Sequence, residues 1–356
     1  MVGCPFIASL SHAMGGIRAP GEQFSRISKN YSLAFSYSSP IICGDILAGQ
    51  VQKMRTRSFR LLAALGLLLC VVGSWAQSTD TATERSIETL KKQAASGDVK
   101  AQFILGMDYY EGHGVLQDYA QAVIWYRKAA EQGDAWAQVI LGELYQNGQG
   151  VPQDYAQAAI WYRKAAEQGN AGAQFGLGIL YANGQGVHQD FVQAAAWYSK
   201  AAQQGLAVAE DSLGSLYEIG RGVPQDYAQA DAWYRKAAEQ GYADSQNMLG
   251  RAYEEGEGVP QDYAQATAWY RKAAQQGDSL AQFSLGMMYE VGHGEPQNYA
   301  EAYFWLNLAA SGKIVAVSQE NIDKIRDEAA THLTPADLSQ AQERARKWFA
   351  EHPAKP

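Results

Sequence analysis

The sequence predicts an all-α solenoid of antiparallel helix pairs, and three observations predict it. A 36-residue pattern recurs six times between residues 98 and 312: Leu105 returns as Leu141, Leu177, Leu213, Leu249 and Leu285, and Trp125 as Trp161, Trp197, Trp233, Trp269 and Trp305. Each unit carries two runs of apolar residues at helical spacing. A Gly-x-Gly pair, first seen at Gly112 and Gly114, separates the two runs in every copy. A fixed period of this size marks stacked units that contact their neighbours, not one globular core.

The segments before the array predict export. Residues 1–53 show no repeat and no long apolar periodicity, and they read as an upstream extension ending before a second start at Met54. From Met54, Arg55, Arg57 and Arg60 precede a twelve-residue apolar run, residues 61–72, and then Ser74 and Ala76. That is the order of a signal peptide, 54–76, cleaved after Ala76, and it places the mature chain in the periplasm or outside the cell. The apolar run is short for a membrane span, which needs about 20 residues, so no stable span is expected after cleavage. Lipidation at Cys70 is disfavoured because Leu69, not a small residue, precedes it. Cys4, Cys43 and Cys70 all precede residue 77, so the remaining chain has neither disulfides nor thiolate metal sites.

Residues 77–97 read as a leader and an N-terminal capping helix, because Lys92-Gln-Ala-Ala-Ser-Gly97 lies one period before Lys128-Ala-Ala-Glu-Gln-Gly133. Residues 98–312 are the six full units. In the first helix of a unit, Ala101, Leu105 and Tyr109 share a face, and Gly106 beside them admits a close neighbour. Gly112 is expected to stop that helix with a positive φ. The second helix opens at Asp118 with Gln121 three residues on, the spacing of a capping box. Tyr119, Ala122, Tyr126 and Ala129 form its buried stripe, with Trp125 at the side. The period ends at Gly312. Residues 313–356 read as C-terminal capping helices and a tail, one helix over 316–331 and another starting at Thr334-Pro335 with Leu338, Ala341, Ala345 and Trp348 on its inner face. The final five residues are expected to be disordered.

Charge narrows the function. The chain carries a net −8, and residues 1–76 hold seven Lys/Arg against two Asp/Glu, leaving about −13 for the rest. An acidic body of this kind excludes nucleic acid, whose phosphates need a basic footprint. No Ser-x-x-Lys follows residue 76 and no His-Glu-x-x-His occurs. His113, His188 and His293 sit in turns of different units, and units stacked about 10 Å apart keep them from sharing one metal. Neither catalytic residues nor a cofactor are expected.

The motif Ala-x-x-x-Leu-Gly-x-x-Tyr-x-x-Gly-x-Gly-Val followed by Asp-Tyr-x-x-Ala-x-x-Trp-Tyr-x-Lys-Ala-Ala resembles the Sel1-like repeat, a relative of the tetratricopeptide repeat. The resemblance implies a right-handed superhelix whose first helices line a concave surface. It also implies a scaffold or adaptor that binds other proteins in envelope, signalling or host-contact roles. The Helicobacter cysteine-rich branch is similar in pattern but ties its repeats with disulfides that this chain lacks, which weakens a penicillin-recognising or wall-hydrolase alternative. A glycan-binding alternative would use Trp136 and the groove aromatics.

Alignment with tetratricopeptide units puts positions 103, 107 and 110 and their equivalents on the concave face. That face reads apolar in repeats one, three and six and polar or acidic in four and five. Phe103, Met107, Tyr110, Phe175, Ile179, Phe283 and Met287 are therefore the expected partner contacts. Asp211, Glu218, Arg251 and Glu254 are expected to set charge register.

Overall fold

The computed structural model describes residues 86–312, 314 and 317–352. The expected upstream extension, the signal peptide and the last four residues of the tail lie outside them. The described residues form fifteen helices and no strand. The chain divides into two compact units at Trp125/Tyr126, inside one helix.

In the first unit, α1 (residues 86–95) is followed by α2 (Val99–Glu111) and by the start of α3 (Tyr119–Glu131). Ala94 of α1 packs with Ala101 and Leu105 of α2, and Leu90, Tyr109 and Trp125 close around them. Asp98 caps α2 by accepting from the Ala101 amide, and Gly112 ends it in the left-handed region at φ +82°. A Cβ there would find room beside Gln117, so the positive φ is what calls for glycine; the Gln117 side-chain amide donates to the Tyr110 carbonyl at 2.8 Å and so fastens the loop.

The second unit is built of first helices α4 (Ala135–Asn147), α6 (Ala171–Asn183), α8 (Ala207–Ile219), α10 (Ala243–Glu255) and α12 (Ser279–Val291). They alternate with second helices α5 (Tyr155–Glu167), α7 (Phe191–Gln203), α9 (Tyr227–Glu239), α11 (Tyr263–Gln275) and α13 (Tyr299–Ala309). Each first helix packs on its second helix, and that second helix packs on the next first helix. Asp154, Asp190, Asp226 and Asp262 cap the second helices by accepting from the amide three residues on, which is the acidic half of the expected capping box. The first helices α4, α6 and α12 start under Asp134, Asn170 and Asp278, whereas α8 and α10 start at Leu206 and Tyr242 with no side-chain cap.

The expected stripes are buried: Ala158, Tyr162 and Ala165 in one repeat and Ala266, Tyr270 and Ala273 in another, against the leucine column. The small residue beside each leucine makes room for the tyrosine. A Cβ on Gly178 would come within 2.6 Å of the Tyr198 ring. Successive repeats also meet main chain to main chain. A Cβ on the second glycine of the loop, at Gly186, Gly222 or Gly294, would overlap the main chain at Tyr155, Phe191 or Tyr263 at the start of the preceding second helix.

A buried glutamine in four of the five first helices of the second unit ties repeats together along the opposite end. Gln138, Gln174, Gln246 and Gln282 donate to the carbonyls of Ala130, Ala166, Ala238 and Ala274 at 2.9, 3.2, 3.0 and 3.1 Å. Their own oxygens are used too: Gln168, Gln204 and Gln276 donate to Gln138, Gln174 and Gln246, each at 2.8 Å. Repeat four has Glu210 at this position. It accepts from Gln240 at 2.7 Å but, as a carboxylate, has no proton for the Ala202 carbonyl.

Past Gly312 the stack is closed by α14 (Gln319–Thr331) and α15 (Pro335–Glu351), both against α13. Thr334 caps α15 with Pro335 at its first turn, and Ala341 and Ala345 are buried, as the pattern predicts. Arg344 makes two hydrogen bonds to the Glu301 carboxylate and lies 4.3 Å from the Phe304 ring. His352, expected to be disordered with the tail, instead stacks on Trp348 at 4.3 Å.

Candidate functional site: the face of the first helices

In the first unit, Phe103, Met107 and Tyr110 are half-buried on α2, one turn apart, and Tyr110 meets Tyr119 edge to face at 5.2 Å. In the second unit Ile179 and Met287 are likewise half-buried. Two aromatics depart from the expectation of an accessible contact. Phe175 is only 6% exposed, and the Tyr198 ring packs against it at 5.5 Å. Phe283 packs into the cluster that α13, α14 and α15 build around Tyr303, Leu306 and Leu338, so it serves the C-terminal closure.

The structure joins the charged residues into a network. A column of tyrosines on the second helices supplies hydroxyl donors to the first helices: Tyr162 to Gln146 at 3.1 Å, Tyr234 to Glu218 at 2.6 Å and Tyr270 to Glu254 at 2.6 Å. Glu218 also pairs with Arg251, one repeat on, and Arg251 reaches Glu255 at 3.9 Å. Asp211 accepts from Ser245 at 2.6 Å. The predicted charge-setting residues Asp211, Glu218 and Arg251 therefore hold repeats four and five together as well as lining them, while Glu254 is held by Tyr270 within repeat five.

Burial shifts several of these groups. It pushes the Asp211 carboxyl up to about 6, against the opposing hydrogen bond from Ser245. The Tyr234 and Tyr270 hydroxyls are raised by burial and by the glutamates that accept from them, so both stay protonated donors. Glu143, at the position of Met107 in repeat two, is 6% exposed with Oε1 unpaired, and burial alone lifts it to about 7.

Asp231 is the residue that reasoning from the sequence missed. It lies at the joint of repeats four and five, 6% exposed, with Oδ2 buried and unpaired. Burial pushes it up to about 6, with Arg235 opposing. Beside it a cleft of about 10 Å³ is lined by Glu218, Tyr227, Arg251 and Glu257 among others. The signal was available in the column: the equivalent residues are Val123, Ala159, Ala195, Thr267 and Tyr303, none of them charged.

Among the described residues no group of three His, Cys, Asp or Glu side chains is arranged to hold a metal, and no helix is long and apolar enough to cross a membrane. Trp136 is 40% exposed, as a surface aromatic would be.

Comparison with known proteins bears on the whole array. A Sel1 repeat protein from Oxalobacter formigenes is similar, at 34% identity and a TM-score of 0.59, over 69% of this chain and 99% of that one. A protective antigen of uropathogenic Escherichia coli that displays an SLR fold matches at 26% identity over 75% of this chain and 87% of its own, with a TM-score of 0.34. A Sel1 repeat protein from Klebsiella pneumoniae subsp. pneumoniae matches at 25% identity over 56% and 97%, with a TM-score of 0.37. Comparison with curated proteins finds no match. The Sel1 repeat itself is matched six times, at residues 99–134, 137–170, 171–206, 207–242, 243–278 and 279–313. These matches coincide with the helix pairs, and the chain belongs to the Sel1 repeat family.

Proposed function

We propose that this chain is an exported, non-enzymatic scaffold that holds other proteins on the faces of its first helices. Sel1 repeats mediate protein–protein interaction, and one observation carries the reading here. The columns that build the solenoid are constant from unit to unit, whereas the first-helix face changes from Met107 to Glu143, Ile179, Ser215, Arg251 and Met287 at a single position. A face varied on a fixed frame is what recognition of one particular partner requires. Aromatic and methionine side chains supply adaptable area in the first unit, and the carboxylates of repeats four and five supply charge.

The signal-peptide reading of residues 54–76 supports a periplasmic or secreted location, and sequencing the mature N-terminus tests it: Gln77 first is the expected result. For the interaction, capture from the envelope and culture fractions is compared between the chain and a Phe103→Ser/Met107→Ser/Tyr110→Ser variant whose melting curve matches the parent. A protein retained by the first and lost by the second is expected. Equal retention refutes the face, and turnover of a chromogenic β-lactam by purified protein refutes the non-enzymatic reading.

A further inference from the structure

The joint between repeats four and five lacks something that its neighbours on both sides possess. In the joint of repeats three and four, the loop residue Arg221 reaches back over the aromatic residue that opens the preceding second helix, its guanidinium 5.3 Å from the Phe191 ring. In the joint of repeats five and six the same position is His293, stacked on Tyr263 at 4.2 Å. A cation or an imidazole belonging to the chain thus covers the ring in each case. At the joint of repeats four and five the equivalent pair is Glu257 and Tyr227. A carboxylate is repelled by the negative face of a ring and cannot replace those covers.

A second position changes in concert. Where Thr267 donates to the carbonyls of Tyr263 and His293 at 2.9 and 3.2 Å, repeat four has Asp231, with a buried oxygen that nothing in the chain satisfies. Three carboxylates, from Glu218, Asp231 and Glu257, line the cleft against one guanidinium, and that guanidinium, on Arg251, is engaged by Glu218. Holding a carboxylate with an unpaired oxygen at a position where other repeats place Val, Ala, Thr or Tyr costs stability.

We propose that this cleft binds a primary ammonium group, the tip of a lysine on the protein partner, with Asp231 and Glu257 as counter-charges and the Tyr227 ring as its face. The proposal rests on the scaffold reading and adds the chemistry of the partner. The form of the charge selects the ammonium: it is a compact point charge with three donors that Asp231 and Glu257 can share, whereas a guanidinium presents a planar fork matched to a single carboxylate. The occupant would stand against Tyr227 as the Arg221 guanidinium stands against Phe191 one joint earlier.

Met248 lines the same cleft and provides the readout. The chain is labelled with ¹³C at the methionine methyls, the Met248 signal is assigned with Met248→Leu, and four probes are added at matched ionic strength. These are acetyl-Gly-Lys-Gly-amide, the same peptide with its lysine acetylated, methylammonium chloride and potassium chloride. The lysine peptide and methylammonium should both shift the Met248 signal saturably, while the acetylated peptide and potassium leave it in place. Asp231→Asn should weaken the response about tenfold, and Glu257→Gln, on the loop, should weaken it without touching the buried position. Three results would overturn the proposal: no saturable shift, the same shift with the acetylated peptide, or wild-type affinity in both variants. A response to methylammonium alone would also overturn it, because the lysine assignment would fail. Any of these with partner capture intact removes the ammonium site and leaves the scaffold reading standing; loss of partner capture at the first-helix face is judged separately.

Discussion

Replacing Glu210 by Gln should stabilise the protein, although it removes a charge from a carboxylate that has a hydrogen-bond partner. The four glutamines at this position in the second unit each donate to the alanine carbonyl eight residues earlier, and Glu210 leaves the Ala202 carbonyl without that donor. Glu210 is 3% exposed, and burial raises its pKa, with Lys236 and the hydrogen bond from Gln240 pulling the other way. The restored hydrogen bond contributes about 1 kcal/mol. Relief of a buried carboxylate adds about 1 kcal/mol, and the lost attraction to Lys236 subtracts about 0.5 kcal/mol. A net gain of about 1.5 kcal/mol corresponds to a rise in Tm of about 3–6 °C for a domain of this size.

The sign with pH is fixed by the direction of the shift. With its folded pKa above the ordinary value, Glu210 weakens the wild type once ionised, and that loss is recovered as pH falls through the folded pKa. Below about pH 4.3 the carboxyl is neutral in both states and can itself donate to Ala202, so variant and wild type should converge. Thermal melts of both proteins at pH 7.5 and pH 4 test this. A variant that melts lower than wild type at pH 7.5, or a difference independent of pH, would refute the ladder as the source of the effect.

Three other outcomes follow from the same structure. Glu143→Gln should raise the urea midpoint at pH 8.5 and leave it unchanged at pH 4, because burial lifts the folded carboxyl from 4.5 to about 7, so the wild type loses stability as pH rises between those values and carries the full loss above them. Asp190→Ala removes the acceptor for the Val192 and Gln193 amides and should cost about 1 kcal/mol, read from the same denaturation curves. Gly222→Ala should cost about 3 kcal/mol or more, since the residue sits at φ +71° and its new methyl would overlap the Phe191 carbonyl; loss of amide protection at the repeat three/four joint in hydrogen exchange would show where the strain falls.

The period, the caps and the Gly-x-Gly turns were legible in the sequence because each rests on local rules. A carboxylate two or three residues before an amide, or a glycine where φ must be positive, shows within a few residues. The first-helix face was legible only in part. Phe175 shares its helical position with Phe103 and Phe283, yet it is buried against Tyr198 of the second helix, a contact that the spacing along its own helix does not display. Phe283 is covered by helices that lie outside the repeat pattern altogether. The cleft at Asp231 was illegible for a different reason: Tyr227 and Glu257 meet across two repeats, 30 residues apart, and the period of 36 does not display that offset. Comparing the columns at 231 and 257 jointly exposes it, because only repeats four and five place carboxylates there, both beside the Tyr227 ring.

The contact between each second loop glycine and the main chain of the preceding helix has a consequence for how such an array can change. Distance between adjacent units is gauged by backbone meeting backbone at Gly186, Gly222 and Gly294, and no side chain on the first-helix face takes part at those three joints, whereas Asp211 and Glu218 of that face also tie repeats four and five. At those three joints pitch and recognition are therefore written in separate letters. A lineage can rewrite the recognition letters one by one without altering the rise of the stack, and it can lengthen or shorten the reading surface by whole units of 36 residues, each new unit arriving with its spacing already set.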